Sequence, residues 1–465
     1  MIFCAVLSIG VCGQAEQPAK EAEFDLSTLP SGWHWSYVEE PIWQTQSFVV
    51  QAGLQHKQSI LLVHGIGGSF TDWLDVIKFM AGQYHVIAVD LPGFGRSEEP
   101  LTQLSPQNYS KFLHWVSDEA ARSPLVVIGH SMGAAISLQF AADYPDLVQR
   151  LVLVDTAGVL ERTALLKENV NFPVVPKGTP SPISNFARKL NQFAKSLVEW
   201  TSTTPDPIPA ISASDEAWRF LFEGRVNANA GLALIMHDFS SAIDSVEQPT
   251  WLIWGRNDTV APLRTGRLLL GRLKQAELRV IDGAAHVPMK THPKMFQMLL
   301  ETALNSEPDL NKRFATSPVP ASHTGNILYC RDQHGGRYSG HYKAVYIENC
   351  QGVTLVNLTA NQIIMNRSQV SMVNVGVNNA GGTAIQSELS IVSMTNVDLQ
   401  GLRGIESDGT RWDLAGVTVK SQENGVVIKR RSRFIFSVSK LKSGIASTGI
   451  HGVFESDNRV LDFIL

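Results

Sequence analysis

The chain has 465 residues, 44% hydrophobic and 18% charged, with a formal net charge of -4. That length exceeds the roughly 250 to 300 residues at which a single core stops growing, so two domains are expected, and the composition excludes a disordered or collagen-like chain. The charge argues against nucleic acid as a partner: the one basic run, Lys429-Arg430-Arg431-Ser432-Arg433, is short, lies in a strand-like stretch and reads as a solvated ridge.

Residues 1 to 15 form a short apolar run that ends in small residues at Gly13 and Ala15, as the core and cleavage site of an export signal do, although no basic segment precedes it. The expectation is an exported protein: periplasmic, envelope-associated or secreted. The alternatives at this end are a weakly packed terminus or a lipid-modified Cys12. No later segment reaches the roughly 18 apolar residues needed to span a bilayer.

From Phe48 to about Ala303, short aliphatic runs alternate with amphipathic segments, the pattern of a mainly parallel sheet with crossover helices. Ile60 to Val63, Tyr84 to Val89, Leu125 to Ile128, Leu151 to Val154, Thr250 to Trp254 and Leu278 to Ile281 are apolar nearly throughout, as strands buried on both faces are. Gly133 to Asp143 and Pro293 to Leu304 read as helices. Between about Gly158 and Val246 there is no strong strand, and prolines punctuate the stretch from Pro173 to Pro209. So long a loop is improbable in a compact domain unless it has structure of its own, so it reads as a mostly helical cap, with Leu190 to Trp200 and Ser214 to Phe222 as its best helices. The domain is bounded at 16–312.

Residues 313–465 are rich in Asn, Ser, Gly and Val, and they repeat. Val353 to Leu358 resembles Val370 to Val375, and Ser371 to Val375 resembles Ser393 to Val397; a second register places Met365, Ile385 and Ile405 at equal steps. A period near 20 residues suits a right-handed parallel β-helix, with Asn and Gly at turns because they tolerate left-handed backbone; a β-sandwich is the competing architecture. Cys330 and Cys350 would then lie on neighbouring coils, as a disulfide or as two free thiols. No zinc-type cysteine spacing exists, and nothing calls for a metal or a cofactor.

Gly129-His130-Ser131-Met132-Gly133 fits G-x-S-x-G between a buried strand and an Ala-rich helix. A serine hydroxyl is a weak nucleophile and needs a base, which a carboxylate must hold in the right tautomer. Asp258 follows the strand Thr250 to Trp254, and His286 follows the next strand. The order Ser, Asp, His places all three at the carboxyl edge of the sheet, where ligands gather in open α/β sheets. With His64-Gly65-Ile66-Gly67-Gly68 and Asp90-Leu91-Pro92-Gly93-Phe94-Gly95-Arg96-Ser97, these loops make residues 48 to 304 resemble the α/β-hydrolase superfamily.

The resemblance implies Ser131 as nucleophile, His286 as base, Asp258 as orienting acid, and the backbone N–H groups of Ile66 and Met132 as the oxyanion hole. Asp155, at the end of the sixth strand, is the rival acid. His64, His130 and Asp90 read as structural. The implied reaction is hydrolysis of a small-molecule carboxylic ester through an acyl-enzyme, with lactone or carbon–carbon bond hydrolysis as variants on the same scaffold. The cap aromatics Phe172, Phe186, Phe193, Trp200, Trp218, Phe220 and Phe222 favour an apolar substrate or form the cap's own core. A different reading makes the C-terminal region the working part, binding glycan or cell envelope, with Tyr338, Tyr342, Tyr346 and Trp412 available to stack on sugars.

Overall fold

The computed structural model describes residues 24–122, 124–161, 163–164, 214–310, 323–443 and 446–456. The expected export segment, the expected helix Leu190 to Trp200 and the cap residues Phe172, Phe186, Phe193 and Trp200 lie outside them, as does the 312/313 boundary.

The first domain is built on an eight-stranded sheet of order β1-β2-β4-β3-β5-β6-β7-β8. Its strands are β1 (His34–Glu40), β2 (Thr45–Ala52), β3 (Ser59–Val63), β4 (His85–Val89), β5 (Leu125–His130), β6 (Val148–Val154), β7 (Thr250–Gly255) and β8 (Ala276–Ile281). β1 and β2 pair antiparallel, β2 joins β4 antiparallel, and every other pairing is parallel. The central strands β3, β4 and β5 are buried along their whole length, which is why they read as unbroken apolar runs.

The helices are α1 (Leu74–Met80), α2 (Pro106–Ala120), α3 (Met132–Asp143), α4 (Asp215–Phe222), α5 (Val226–Met236), α6 (Ser240–Ser245), α7 (Leu263–Arg272), α8 (Pro288–Thr291) and α9 (Pro293–Asn305). Two apolar layers result, one on each face: Leu113, Leu138 and Leu269 lie in one, Trp73, Trp251 and Phe296 in the other. Between β6 and β7 the described chain is helical, as expected of a cap. Helix α5 seats on the loop after β4, where Gly93 at φ 93° leaves no room for a Cβ beside Val226, and Asn229 Oδ1 accepts the Leu104 amide at 3.2 Å. No described helix is long and apolar enough to cross a membrane.

The C-terminal domain is all β and mainly parallel, with strand order β14-β16-β15-β13-β12-β11-β10-β9 and β17 antiparallel on β16. Its strands are β9 (His323–Arg331), β10 (Arg337–Glu348), β11 (Val353–Asn366), β12 (Gln369–Glu388), β13 (Ile391–Asp408), β14 (Arg411–Ala415), β15 (Thr418–Arg430), β16 (Ser432–Ser443) and β17 (Ala446–Ser456). The sequence repeat is the strand register: Val353 faces Val370, Leu358 faces Val375, Ser371 faces Ser393, and Val375 faces Val397. Stacked parallel strands of this kind are compatible with the expected β-helix.

Two columns of left-handed residues turn the stacked strands. One runs through Asn357, Asn374, Asn396, Gly416 and Val438, the other through Asn349, Arg367, Leu389 and Gly409. After the second column comes a ladder of buried hydroxyls. Ser368 Oγ accepts the Cys350 amide at 3.0 Å, Ser390 Oγ the Ser368 amide at 3.0 Å, and Ser432 Oγ the Thr410 amide at 3.2 Å. Each hydroxyl satisfies a backbone donor that the turn would otherwise leave unpaired.

The second expected register needs correction. Ile363, not Met365, faces Ile385, while Met365 faces Ser387, because β12 carries extra residues between Val377 and Ile385 relative to the stretch Ala360 to Ile363 of β11. Cys330 and Cys350 form a disulfide between neighbouring turns of chain. The basic run is an exterior ridge of ion pairs, in which Arg430 binds both Asp408 and Glu388 and Arg433 reaches Glu455.

Candidate active site

Ser131 sits between β5 and α3 at φ 54°, a left-handed conformation that a side-chain-bearing residue rarely adopts. The flanking glycines explain how the turn closes. A Cβ on Gly129 would meet Gly133 O at 2.5 Å, and one on Gly133 would meet Val63 O at 2.3 Å. Gly65 serves the same end, since a Cβ there would stand 2.9 Å from the Ser131 Cβ.

The Ser131 hydroxyl lies 2.9 Å from His286 Nε2, which accepts its proton, and His286 Nδ1–H donates to Asp258 Oδ2 at 2.8 Å. The structure therefore brings the three expected side chains into one hydrogen-bonded chain, all buried. Asp258 Oδ1 accepts the amides of Val260 and Ala261 at 2.8 and 3.0 Å, which aims its other oxygen at the histidine. Gly255 lets the acid and histidine loops meet: a Cβ there would lie 2.3 Å from Ala285 O, and Asn257 N donates to Ala284 O at 2.8 Å.

Met132 opens α3, so its N–H has no intrahelical acceptor and points out of the positive end of the helix. Ile66 is half-buried in the tight turn after β3, closed by Gly68 N donating to Gly65 O at 3.1 Å. Met132 follows Ser131 and Ile66 follows Gly65, whose Cβ position stands 2.9 Å from the Ser131 Cβ, so both belong to segments that meet at the serine turn.

The neighbours behave as supports. His64 Nδ1–H donates to Gly65 O at 2.7 Å while its Nε2 accepts the Leu91 amide at 2.9 Å, which fixes the ring under the turn. Asp90 accepts the amides of Phe70 and Arg96 at 2.6 and 2.8 Å; burial pushes its carboxyl above the usual range. His130 Nε2–H donates to the backbone oxygen of His286 at 2.6 Å. Burial, with His286 beside it, depresses the His130 ring to about 3, so it holds the histidine loop as a neutral donor. That bond joins residues 156 apart in sequence and has no local signal.

Asp155, the rival acid, adopts φ 45° and accepts the Gly255 amide at 2.8 Å. Burial and the neighbouring Asp258 carboxylate push its pKa well up, which favours Asp155 in its neutral form, and the acid that faces His286 is Asp258. Ligand-type atoms of His130, Asp155 and His286 lie within 4.8 Å of one another. Both ring nitrogens of His286 and the Nε2 of His130 are already committed to hydrogen bonds, so the cluster is poorly suited to a metal.

Residues 58–293 match the family model described as the alpha/beta hydrolase fold. The chain belongs to that family. Among curated relatives, uncharacterized protein Rv2715 of Mycobacterium tuberculosis is 26% identical over 295 residues, 60% of this chain and 81% of that protein. Monoacylglycerol lipase ABHD6 of Mus musculus is 27% identical over 54% of this chain and 76% of its own. A 2-hydroxy-6-oxononadienedioate/2-hydroxy-6-oxononatrienedioate hydrolase of Cupriavidus pinatubonensis is 27% identical over 52% and 85%. A solved membrane phospholipase A is 26% identical, with a TM-score of 0.43, over 59% of this chain and 88% of that one.

Proposed function

We propose that this hydrolase cleaves carboxylic esters through an acyl-enzyme on Ser131. The observation that carries the reading is the unbroken Ser131–His286–Asp258 hydrogen-bond chain. His286 takes the hydroxyl proton as Ser131 Oγ attacks the ester carbonyl; the amides of Ile66 and Met132 receive the developing oxyanion. His286 then gives its proton to the departing alcohol, and in the second half activates a water that releases the acid. Asp258 stays ionised and steadies the imidazolium.

The lipase relatives support an acyl ester as substrate, and the carbon–carbon bond hydrolase among them supports the competing substrate class. In the described part of the cap Trp218 is buried and packs on Phe222 with ring centroids 4.5 Å apart, so these two aromatics belong to the cap's own packing. Turnover of p-nitrophenyl esters of graded chain length by the full chain and by Ser131→Ala tests the reading. Loss of turnover in the variant is expected; persisting activity would refute it. The Cys330–Cys350 disulfide supports an exported protein, because such bonds persist in oxidising compartments; recovery of the native protein in the periplasmic or extracellular fraction is the check.

A second reading concerns the C-terminal domain. A shallow groove of about 610 Å³ crosses its strands, floored by the bare Gly376 and edged by a row of exposed hydrogen-bonding side chains, Lys343, Asn361, Asn378, Gln400 and Lys420. Amides spaced at the strand separation and flanked by lysines suit a repeating, hydroxyl-rich, acidic polymer, which supports glycan binding. Trp412, expected to stack on sugars, does not: it is fully buried against Phe434 with ring centroids 5.7 Å apart, whereas Tyr342, largely buried in the core cluster, still lines the groove. Retention of the full chain on insoluble acidic glycans, lost in Asn378→Ala/Gln400→Ala, is expected; equal retention of both proteins would remove the groove from the account.

A further inference from the structure

Helix α7 starts directly after the acid loop. On the hydrolase side this junction is fixed by Trp254 Nε1–H donating to Ala261 O at 2.8 Å, and by Gly266, where a Cβ would meet the Trp254 ring at 2.8 Å. On its other side the first turn of α7 faces the β domain. Arg264 Nη1 and Nη2 donate to the two carboxylate oxygens of Asp413, each at 2.9 Å. Its Nε donates to Thr395 Oγ1 and its Nη2 to Met394 O, both at 3.0 Å. The guanidinium and the carboxylate are 10% and 11% exposed. A forked pair this buried resists being opened from either side, because each charge would be stranded without the other.

The rest of the helix is gripped as well. Asn396, a left-handed corner residue of the β stack, donates from Nδ2 to Arg267 O at 2.6 Å, and its amide lies so close to Gly271 that a Cβ there would meet it at 2.1 Å. Its counterpart one strand along, Asn374, instead donates to Asn357 at 3.1 Å within the stack. The corner column thus changes partner where it reaches α7. Arg272 Nη1 donates to Thr418 Oγ1 at 3.2 Å, and Lys440 pairs with Asp244 on α6. Ala415 and Val438 of the β domain pack into the apolar layer of the hydrolase domain.

We propose that Arg264 is a positioning residue for Asp258: forked on Asp413, it lets the β domain fix the start of α7 and hence the direction of the acid, which makes the β domain part of the hydrolytic unit. This rests on the triad reading above. Any loosening of α7 reaches Asp258 through the Val260 and Ala261 amides, since these are what aim its carboxylate. The orientation of His286 then suffers, while Arg264 and Asp413, buried on each other, offer no free group to a substrate.

The test uses full chains carrying Arg264→Gln, Asp413→Asn, both together, Arg264→Lys and Thr395→Val, with Arg331→Gln as a control that opens an exposed ion pair at the far edge of the β domain. Misplacing a catalytic group by about 1 Å costs on the order of 10²-fold, and a loosened helix should cost part of that. The expectation is kcat lowered about tenfold in Arg264→Gln and in Asp413→Asn, KM within about twofold, and the double variant no worse than the poorer single one. The low-field proton resonance of the His286–Asp258 bond should broaden or move in step. Arg264→Lys, which keeps the charge without the fork, should fall between, and Arg331→Gln should match the parent. Unchanged kcat and an unchanged resonance in folded variants would overturn the proposal. If the charge variants do not fold, Thr395→Val and Arg264→Lys decide it by the same two readings. Activity persisting in Ser131→Ala would instead refute the triad reading, so the two failures are distinguishable.

Discussion

Left-handed backbone appears in both domains but is spent differently. In the hydrolase domain the side-chain-bearing residues that adopt it stand singly: Gln44 between β1 and β2, and Ser131 and Asp155 at the carboxyl ends of the adjacent parallel strands β5 and β6. In the β domain it recurs in columns, one residue per turn of the stack, from Asn357 through Asn374 and Asn396 to Val438. An isolated strained residue lifts one side chain out of its element and aims it; a strained column bends every strand alike, and its asparagine side chains meet the stack itself until Asn396 reaches α7. A positive φ therefore marks a site only where its neighbours in the fold do not share it.

The contrast breaks most visibly if Ser131 is not special. Ser131→Ala should lower kcat by roughly 10⁶-fold, as expected when one member of a triad acting as a unit is removed. The two acids come next. Asp258→Asn should cost on the order of 10⁴-fold by presenting the wrong partner to His286. Asp155→Asn should cost less than about tenfold, because an amide replaces a carboxyl that burial already favours in its neutral form. Steady-state kinetics on one ester ranks all three, and a reversed order of the acids would exchange their roles.

These residues were legible because each lies in a short segment whose neighbours belong to the same turn: glycines around Ser131, and a strand end before Asp258 and before His286. The column asparagines were legible too, since the repeat that places Asn357, Asn374 and Asn396 is also the strand register. The contacts that brace the site were not. The bond from His130 to His286 O and the fork from Arg264 to Asp413 join residues 156 and 149 apart, and no local pattern encodes them. The misaligned register at Met365 has a different cause: extra residues in β12 shift the partner of every residue beyond them. Trp412, expected to be available to stack on sugars, is fully buried and its indole N–H donates to Ser407 Oγ at 2.8 Å.

Smaller effects sharpen the comparison in stability rather than rate. Reducing the Cys330–Cys350 bond, which spans 20 residues, should lower the stability of the β domain by about 3 kcal/mol on the chain-entropy account. Hydrolysis should be unaffected, because β9 and β10 lie at the end of the sheet away from the strands that hold α7; denaturant melts with and without reductant, followed by activity, give the answer. His130 contributes a pH dependence whose sign is fixed. Its folded value, about 3, lies below its unfolded value of 6.5, so the unfolded chain binds the extra proton between them. The stability it contributes is complete above pH 6.5 and is lost as pH falls, by about 2 kcal/mol at pH 5. His130→Gln, which keeps a donor for His286 O, should flatten that part of the stability–pH curve; an equally steep curve would remove His130 from the account. Asn374→Ala should cost about 1 to 2 kcal/mol, from the left-handed penalty and the lost bond to Asn357, with kcat unchanged. A lowered kcat there would mean that strain in the columns also reaches the site.

The most direct measurement is labelling of the full chain with a fluorophosphonate, followed by intact mass and peptide mapping against remaining esterase activity. The account predicts one adduct per chain, on Ser131, with activity lost in proportion and labelling slowed in Asp258→Asn. An adduct on another residue, or activity that survives complete labelling, would contradict it.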